Sequence, residues 1–344
     1  MTTASTLSPE RRSGLERVLQ ALERARFIAL TTHVNADGDG AGCEAALGAW
    51  LIARGKRIVI VNPTPFPQNL AFLLHPDIAV FDTKTDFDRA VLEGVELLVV
   101  LDTGEPRRID KVPKVLPGVE TVVIDHHPLV TPAIPASTSV QDTTACATGE
   151  LIYDLIMMTD TGAWPRETVQ GIYTAVATDT GSFRYANTTP RTHEIAAELI
   201  RRGLDPEEAY RRLYGTVPLR RIQLLTAALE QLEVDAELPI TWITVPRATM
   251  KELDASSDDL DGIIEHARSI AGTEIALLFR ETNGSTKISF RSNGELDVNA
   301  LARQFGGGGH VKAAGALVGG SVDAVRPKVL DATREAVRDL LQKH

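Results

Sequence analysis

Cysteine is almost missing from this 344-residue chain, which contains only Cys43 and Cys146. No disulfide framework or thiolate zinc site is indicated, and both thiols are read as buried and inert. Basic charge is also in deficit, with 36 Lys and Arg against 46 Asp and Glu and a net charge of −10. That balance disfavours a protein that coats long nucleic acid, because phosphate neutralisation needs a basic surface. A short anionic substrate held by metal ions remains compatible. Most of the acidity falls before residue 236. Long apolar runs are absent too, none approaching the ~18 residues of a membrane span. The stretch Met1–Pro9 is polar and lacks the apolar core of a signal peptide. No membrane segment and a cytoplasmic location are therefore expected. There is no internal repeat, and the one low-complexity tract is Gly306–Gly309.

What is present is an alternation of short β-branched runs with helical stretches. Phe27–Thr32, Arg57–Val61, Leu97–Leu101 and Val122–Ile124 read as strands, and Gly42–Ala53, Thr148–Met158 and Arg166–Thr178 as helices. A first helix begins near Ser8-Pro9-Glu10, with a Ser cap and Pro in the first turn. Such alternation predicts an α/β catalytic domain over 1–190, its parallel sheet covered by helices on both faces. Helical patterns dominate 191–235, which reads as a connector. Strands return in 236–344 at Ile240–Val245, Glu274–Phe279 and Lys287–Arg291, with a hairpin signal around Asn283-Gly284 and a last helix near Ala324–Gln342. A second, smaller α/β domain is expected there.

In a parallel sheet, ligands collect outside the carboxyl ends of the strands. Polar clusters sit at those ends here: His33, Asp37 and Asp39 after the first strand, Asp102 after Leu97–Leu101, and Asp125-His126-His127 after Thr121–Ile124. A fourth, Asp179, closes a helix. Turns and helix caps explain Asp and Gly residues equally well one segment at a time. The tripeptide resists that explanation best, since an Asp and two His directly after a buried strand are costly to desolvate without partners. Together the four segments offer enough oxygen and nitrogen donors for two divalent ions of the Mn²⁺ type.

The four segments, in order and spacing, resemble the motifs of the DHH phosphoesterases: His33-x-x-x-Asp37-x-Asp39, Asp102, Asp125-His126-His127 and Asp179. Downstream, Ser289-Phe290-Arg291-Ser292, Asp297-Val298-Asn299 and Gly306-Gly307-Gly308-Gly309-His310 resemble the DHH-associated substrate domain. The likeness is strongest to the branch of oligoribonucleases that also dephosphorylate 3′-phosphoadenosine 5′-phosphate. Ala36 and Gly40 depart from the usual Pro and Ala of the first motif, but neither is a presumed ligand. The resemblance implies one ion on His33, Asp37 and Asp102, and another on Asp39, Asp102, His126 and Asp179. Mn²⁺ is expected before Mg²⁺ or Co²⁺, the pair clamping a phosphoryl group and activating a shared water. Asp125 is assigned to orient the His126 ring, and His127 to contact a phosphate oxygen or the leaving group.

The resemblance also implies that Arg291 and His310 hold the substrate's terminal phosphate or base. Gly307, Gly308 and Gly309 are read as a backbone nest that lets phosphate approach. Phe183 and Tyr185 serve equally as base-stacking or core residues, while His75, His193, His266 and His344 show no partner pattern. The expected activity is hydrolysis of very short oligonucleotides, of 3′-phosphoadenosine 5′-phosphate, or of both, by a homodimer. A phosphodiesterase for cyclic or linear dinucleotides is the alternative. A pyrophosphatase, an exopolyphosphatase and a non-catalytic nucleotide sensor rank lower.

Overall fold

The computed structural model describes residues 7–159 and 162–342; Met1–Thr6 and His344 lie outside the described residues. Its contacts divide the chain into two units, Met1–Thr216 and Val217–His344.

The first unit is built from α1 (Pro9–Arg24), β1 (Phe27–Thr31), α2 (Gly38–Ile52), β2 (Arg57–Asn62), β3 (Ala79–Asp82), β4 (Leu97–Leu101), α3 (Val112–Val115), β5 (Glu120–Asp125), β6 (Thr138–Gln141), α4 (Thr148–Met157), α5 (Arg166–Asp179), α6 (Pro190–Arg201) and α7 (Pro206–Leu213). All six strands are parallel, in the order β3-β2-β1-β4-β5-β6. Alternate side chains enter two cores, as the near-continuous apolar strands require. Ile28 and Leu30 pack under α1, α2, α4 and α5. Phe27 and Ala29 turn to the other face, with Leu98, Val100, Ile109 and Val112. Strand order reverses between β1 and β4, which places a topological switch point at their carboxyl ends.

Two contacts set the positions of the helices over that point. Asp37 caps α2, its Oδ1 accepting from the amides of Asp39 and Gly40 at 3.0 and 3.2 Å. Hence α2 begins at Gly38, four residues before the sequence-derived start. Along its length α2 crosses α5 almost backbone to backbone. A Cβ on Gly42 would lie 2.5 Å from the Gly171 carbonyl oxygen, and one on Gly171 would strike the Gly42 carbonyl in turn.

The second unit contains α8 (Leu219–Glu230), β7 (Leu232–Val234), β8 (Ile240–Val245), α9 (Arg247–Glu252), α10 (Ile263–Arg268), β9 (Ile275–Glu281), β10 (Ser285–Ser292), α11 (Val298–Arg303), β11 (Gly308–Gly309), β12 (Ala313–Gly319) and α12 (Val322–Leu341). Its mixed sheet runs β11-β12-β10-β9-β8-β7, with only β8 and β9 parallel. The stretch expected as a connector is shared out: α6 and α7 lie in the first unit, α8 and β7 in the second.

Gly42→Val is expected to destabilise the first unit by about 1–3 kcal/mol, because carbonyl and helix backbone leave the side chain nowhere to go. Urea unfolding followed through Trp50 and Trp164 checks this as a lower transition midpoint.

Candidate active site

Each proposed ligand emerges where an apolar strand or helix stops. His33 and Asp102 follow β1 and β4 on either side of the switch point, Asp125 ends β5, Asp39 lies in the first turn of α2, and Asp179 ends α5. The backbone there is unusually contorted. Of the six non-glycine residues with left-handed backbones among those described, Asp102 is itself a proposed ligand and Asn35, Ser182 and Phe183 flank others. Strain of this kind persists only where surrounding structure over-determines it.

His33 is 3% exposed, and its Nδ1 lies 2.9 Å from the Val34 carbonyl, which leaves Nε2 as the lone-pair nitrogen facing inward. Nε2 stands 3.4 Å from Asp102 Oδ2 and 3.6 Å from Asp37 Oδ2. His126 is turned likewise. Its Nε2 lies 3.6 Å from Asp39 Oδ2, 3.7 Å from Asp102 Oδ1 and 3.6 Å from Asp179 Oδ2. Both Nε2 atoms are buried without a well-formed hydrogen bond. Buried nitrogens orphaned among carboxylates are costly unless a cation completes them.

Three donor sets result, His33–Asp37–Asp102, Asp102–His126–His127 and Asp39–His126–Asp179, each with its donor atoms within 4.8 Å of one another; the first two share Asp102 and the last two share His126. Asp102 turns Oδ2 to the first set and Oδ1 to the second, the posture of a bridging carboxylate. Oxygen and imidazole donors without sulfur fit divalent cations of the Mn²⁺ and Mg²⁺ kind.

Electrostatics agree. Burial, followed by Asp102, Asp179 and Asp37, pushes the Asp39 carboxyl well above its usual range. Burial likewise raises Asp179 to about 6, His126 opposing and Asp102 adding to the rise. For His33 burial works in the other direction, but Asp102 and Asp37 outweigh it and lift the imidazole to about 10. Without an ion the cluster gathers protons.

The expected contacts of Asp125-His126-His127 are corrected at one position. Asp125 does not orient His126, whose Nδ1 instead lies 3.4 Å from the Ala145 carbonyl. Asp125 Oδ1 accepts from the amide of His127 at 3.0 Å and pairs with His127 Nδ1 at 2.8 Å, while Gln141 Nε2 donates to Oδ2 at 3.3 Å. The reason is local: an Asp ending a strand reaches the amide two residues on and, with it, that residue's own ring. This bond to Asp125 raises the His127 imidazole above its ordinary value, burial opposing.

The amino end of α4 is the part sequence reasoning missed. Thr148 N donates to Asp39 Oδ2 at 2.7 Å, Gly149 N to Asp39 Oδ1 at 2.9 Å, and Thr148 Oγ1 to Asp102 Oδ1 at 2.8 Å. A helix start aims free N–H groups at an anion, so the small-residue run Thr143–Gly149 before a helical pattern was the available signal. Cys43 Sγ lies 3.3 Å from Asp39 Oδ1, and Asn187 Nδ2 donates to the Asp179 carbonyl at 3.2 Å.

In the second unit the glycine run is not an open nest. Gly308 and Gly309 pair with Gly315 and Ala314, and the amides of Gly306, Gly307 and His310 donate to the carbonyls of Arg303, Ala302 and Ala313. Close packing explains two of them, since a Cβ on Gly307 or Gly309 would collide with β12. Gly306 and Gly308 have room, Gly306 with a left-handed backbone at φ +73°. Arg291 stands opposite Ala313 in the β10–β12 ladder, half-buried, with its Nε 3.6 Å from Glu265 Oε1. Exposed His310 closes the turn before Ala313. Phe183 packs between Tyr173 and His193, at ring distances of 6.1 and 5.2 Å, while Tyr185 is half exposed. His75 Nδ1 accepts from the Asp77 amide at 3.2 Å.

Fold and site define a two-unit α/β protein with a His–Asp centre suited to divalent cations at the switch point of a parallel sheet. Residues 27–178 match the DHH family, N-terminal domain, and residues 243–343 match the DHHA1 domain. The chain belongs to the DHH family. It is 34% identical over 322 residues to the Thermus thermophilus bifunctional oligoribonuclease and PAP phosphatase NrnA, spanning 92% of each chain. The Bacillus subtilis protein of the same name is 29% identical over 85% of this chain and 89% of its own. Among solved structures, an exopolyphosphatase-related protein from Bacteroides fragilis superposes with a TM-score of 0.87 at 26% identity, covering 97% of this chain and 98% of that one. No described helix is long and apolar enough to cross a membrane.

Thr148→Val keeps the shape of the side chain but removes the donor to Asp102. Mn²⁺ affinity measured by calorimetry is expected to fall roughly 10- to 100-fold, as for other partners of metal ligands, with the circular dichroism spectrum unchanged.

Proposed function

We propose that this protein is a divalent-cation-dependent phosphohydrolase of the cytoplasm, which degrades very short oligonucleotides to mononucleotides and removes the 3′-phosphate of 3′-phosphoadenosine 5′-phosphate. The observation that carries this is the run of donor sets joined through Asp102 and His126, in a chain so similar end to end to a relative named for both activities.

His33, Asp37 and Asp102 would hold one cation, and Asp39, Asp102, His126 and Asp179 a second, with Mn²⁺ preferred to Mg²⁺ or Co²⁺. Such cations supply Lewis-acid polarisation of a phosphoryl group and a lowered pKa for water. The protein's own residues do the rest. Asp125, on His127 Nδ1, fixes Nε2 as the outward nitrogen and favours the charged ring. Protonated His127 then donates from Nε2 to a phosphate oxygen or to the leaving group. The amide dipoles at the start of α4 keep Asp39 aimed inward.

Arg291, His310 and the glycines Gly307, Gly308 and Gly309 are assigned to the substrate's remaining phosphate or base. Gly308 supports this best, as an exposed backbone with room above it. A homodimer is proposed as well. The α8 residues Leu219, Ile222 and Leu229, 72%, 48% and 40% exposed, form an apolar stripe that self-association would cover.

The test is a product-resolved assay of the full chain with Mn²⁺ on two- to five-nucleotide RNAs, 3′-phosphoadenosine 5′-phosphate, cyclic dinucleotides and pyrophosphate. Mononucleotides from the RNAs and phosphate from the bisphosphate are expected, with turnover by Asp102→Ala at background. Release from neither substrate contradicts the assignment.

A further inference from the structure

A basic side chain near the acidic centre has no role in the scheme above. Arg108 belongs to a short 3₁₀ turn, Pro106–Ile109, in the connection that follows Asp102. Its carbonyl accepts from the Val34 amide at 2.7 Å, so this turn is tied directly to the loop that carries His33. The side chain is half-buried.

Among the described residues its guanidinium makes no hydrogen bond or ion pair, although carboxylates abound in this unit. Other part-buried arginines of the unit behave differently. Arg11 is held by Asp142, Glu150 and Asp154, and Arg191 by Glu150 and Asp154. Arg108 nevertheless lies within electrostatic reach of His127, where its charge opposes the upward pull of Asp125 and Asp102 on the imidazole. A half-buried guanidinium on a turn tied to the His33 loop, with its charge reaching His127 and no partner among the described residues, is arranged for an anion that the protein does not supply. Arginine is the side chain whose planar fork matches two oxygens of a phosphate.

We propose that Arg108 is a substrate-phosphate ligand on the His127 side of the centre, binding non-bridging oxygens of the phosphate that is attacked. This rests on the phosphohydrolase assignment and adds a residue to it. Its contribution is partly to binding and partly to the charge that builds on the phosphoryl oxygens during reaction. Arg107, its neighbour, is exposed and has no such placement.

Kinetics of Arg108→Ala, Arg108→Lys and Arg107→Ala with Mn²⁺ and 3′-phosphoadenosine 5′-phosphate test it, together with calorimetry of Mn²⁺ and of AMP binding to the Mn²⁺-loaded protein. Arg108→Ala is expected to lose roughly 10- to 200-fold in kcat/KM, the range for a charge-assisted hydrogen bond, and to bind AMP more weakly while binding Mn²⁺ as before. Added ethylguanidinium should restore part of its turnover, and Arg108→Lys should lie between it and the parent. Arg107→Ala should match the parent. If the parent turns substrate over and Arg108→Ala stays within about threefold of it, or if Arg108→Lys is as impaired as Arg108→Ala and guanidinium rescues nothing, the assignment of Arg108 is overturned. An inactive parent protein instead overturns the phosphohydrolase assignment, and this one with it.

Discussion

Mutual repulsion among Asp37, Asp39, Asp102 and Asp179 is the constraint that organises the first unit. Donor atoms of each set lie within 4.8 Å, and two like charges at that separation repel by roughly 3–4 kcal/mol at an effective dielectric of about 20. Several such pairs would rival the net stability of a domain. Nearly everything around the cluster offsets that cost. The start of α4 directs two amides at Asp39, Asp37 faces the start of α2, and two imidazoles point their Nε2 atoms inward. Without an ion, protons complete the balance, as the raised Asp39, Asp179 and His33 values indicate, and divalent cations would displace them.

The rest of the unit holds these groups in place. The glycine contact between α2 and α5 brings Asp39 and Asp179 to the same point, because any side chain at Gly42 or Gly171 would part the helices. A buried ionic network does the same for α4: Arg11 on α1 reaches Glu150 and Asp154 at 2.7 and 2.9 Å, and Glu150 Oε2 accepts from the Cys146 amide two residues ahead of Thr148. Such networks are costly to assemble and more costly to break on one side. Fixing the helix end that grips Asp39 and Asp102 gives this one a purpose.

The parallel sheet and the gathering of His33, Asp37, Asp39, Asp102, His126 and Asp179 at one place were legible in the sequence for one reason. Apolar runs such as Leu97–Leu101 end abruptly in polar residues, which marks both a strand and its functional end. The short edge strands β3 and β6 carried too few residues to stand out. Thr148 and Gly149 were missed because their function lies in backbone amides brought to Asp39 by tertiary structure, over a separation of more than a hundred residues. The partner of Asp125 was misjudged between adjacent histidines, since residue order alone does not say which ring folds back on the carboxylate. Gly306–Gly309 looked like an anion nest, yet Gly308 and Gly309 pair with β12 and the amides of Gly306 and Gly307 donate to Arg303 and Ala302 at the end of α11. The division at Thr216 and Val217 falls in the short connection between α7 and α8, where Gly215 and Pro218 mark a break between helices but not a change of unit.

Anomalous diffraction from crystals grown with Mn²⁺ tests the central claim most directly. Two manganese peaks are predicted, one among His33, Asp37 and Asp102 and the other among Asp39, Asp102, His126 and Asp179, with both touching Asp102. No peak at these residues, or a single peak that leaves His33 or His126 without a partner, would contradict it.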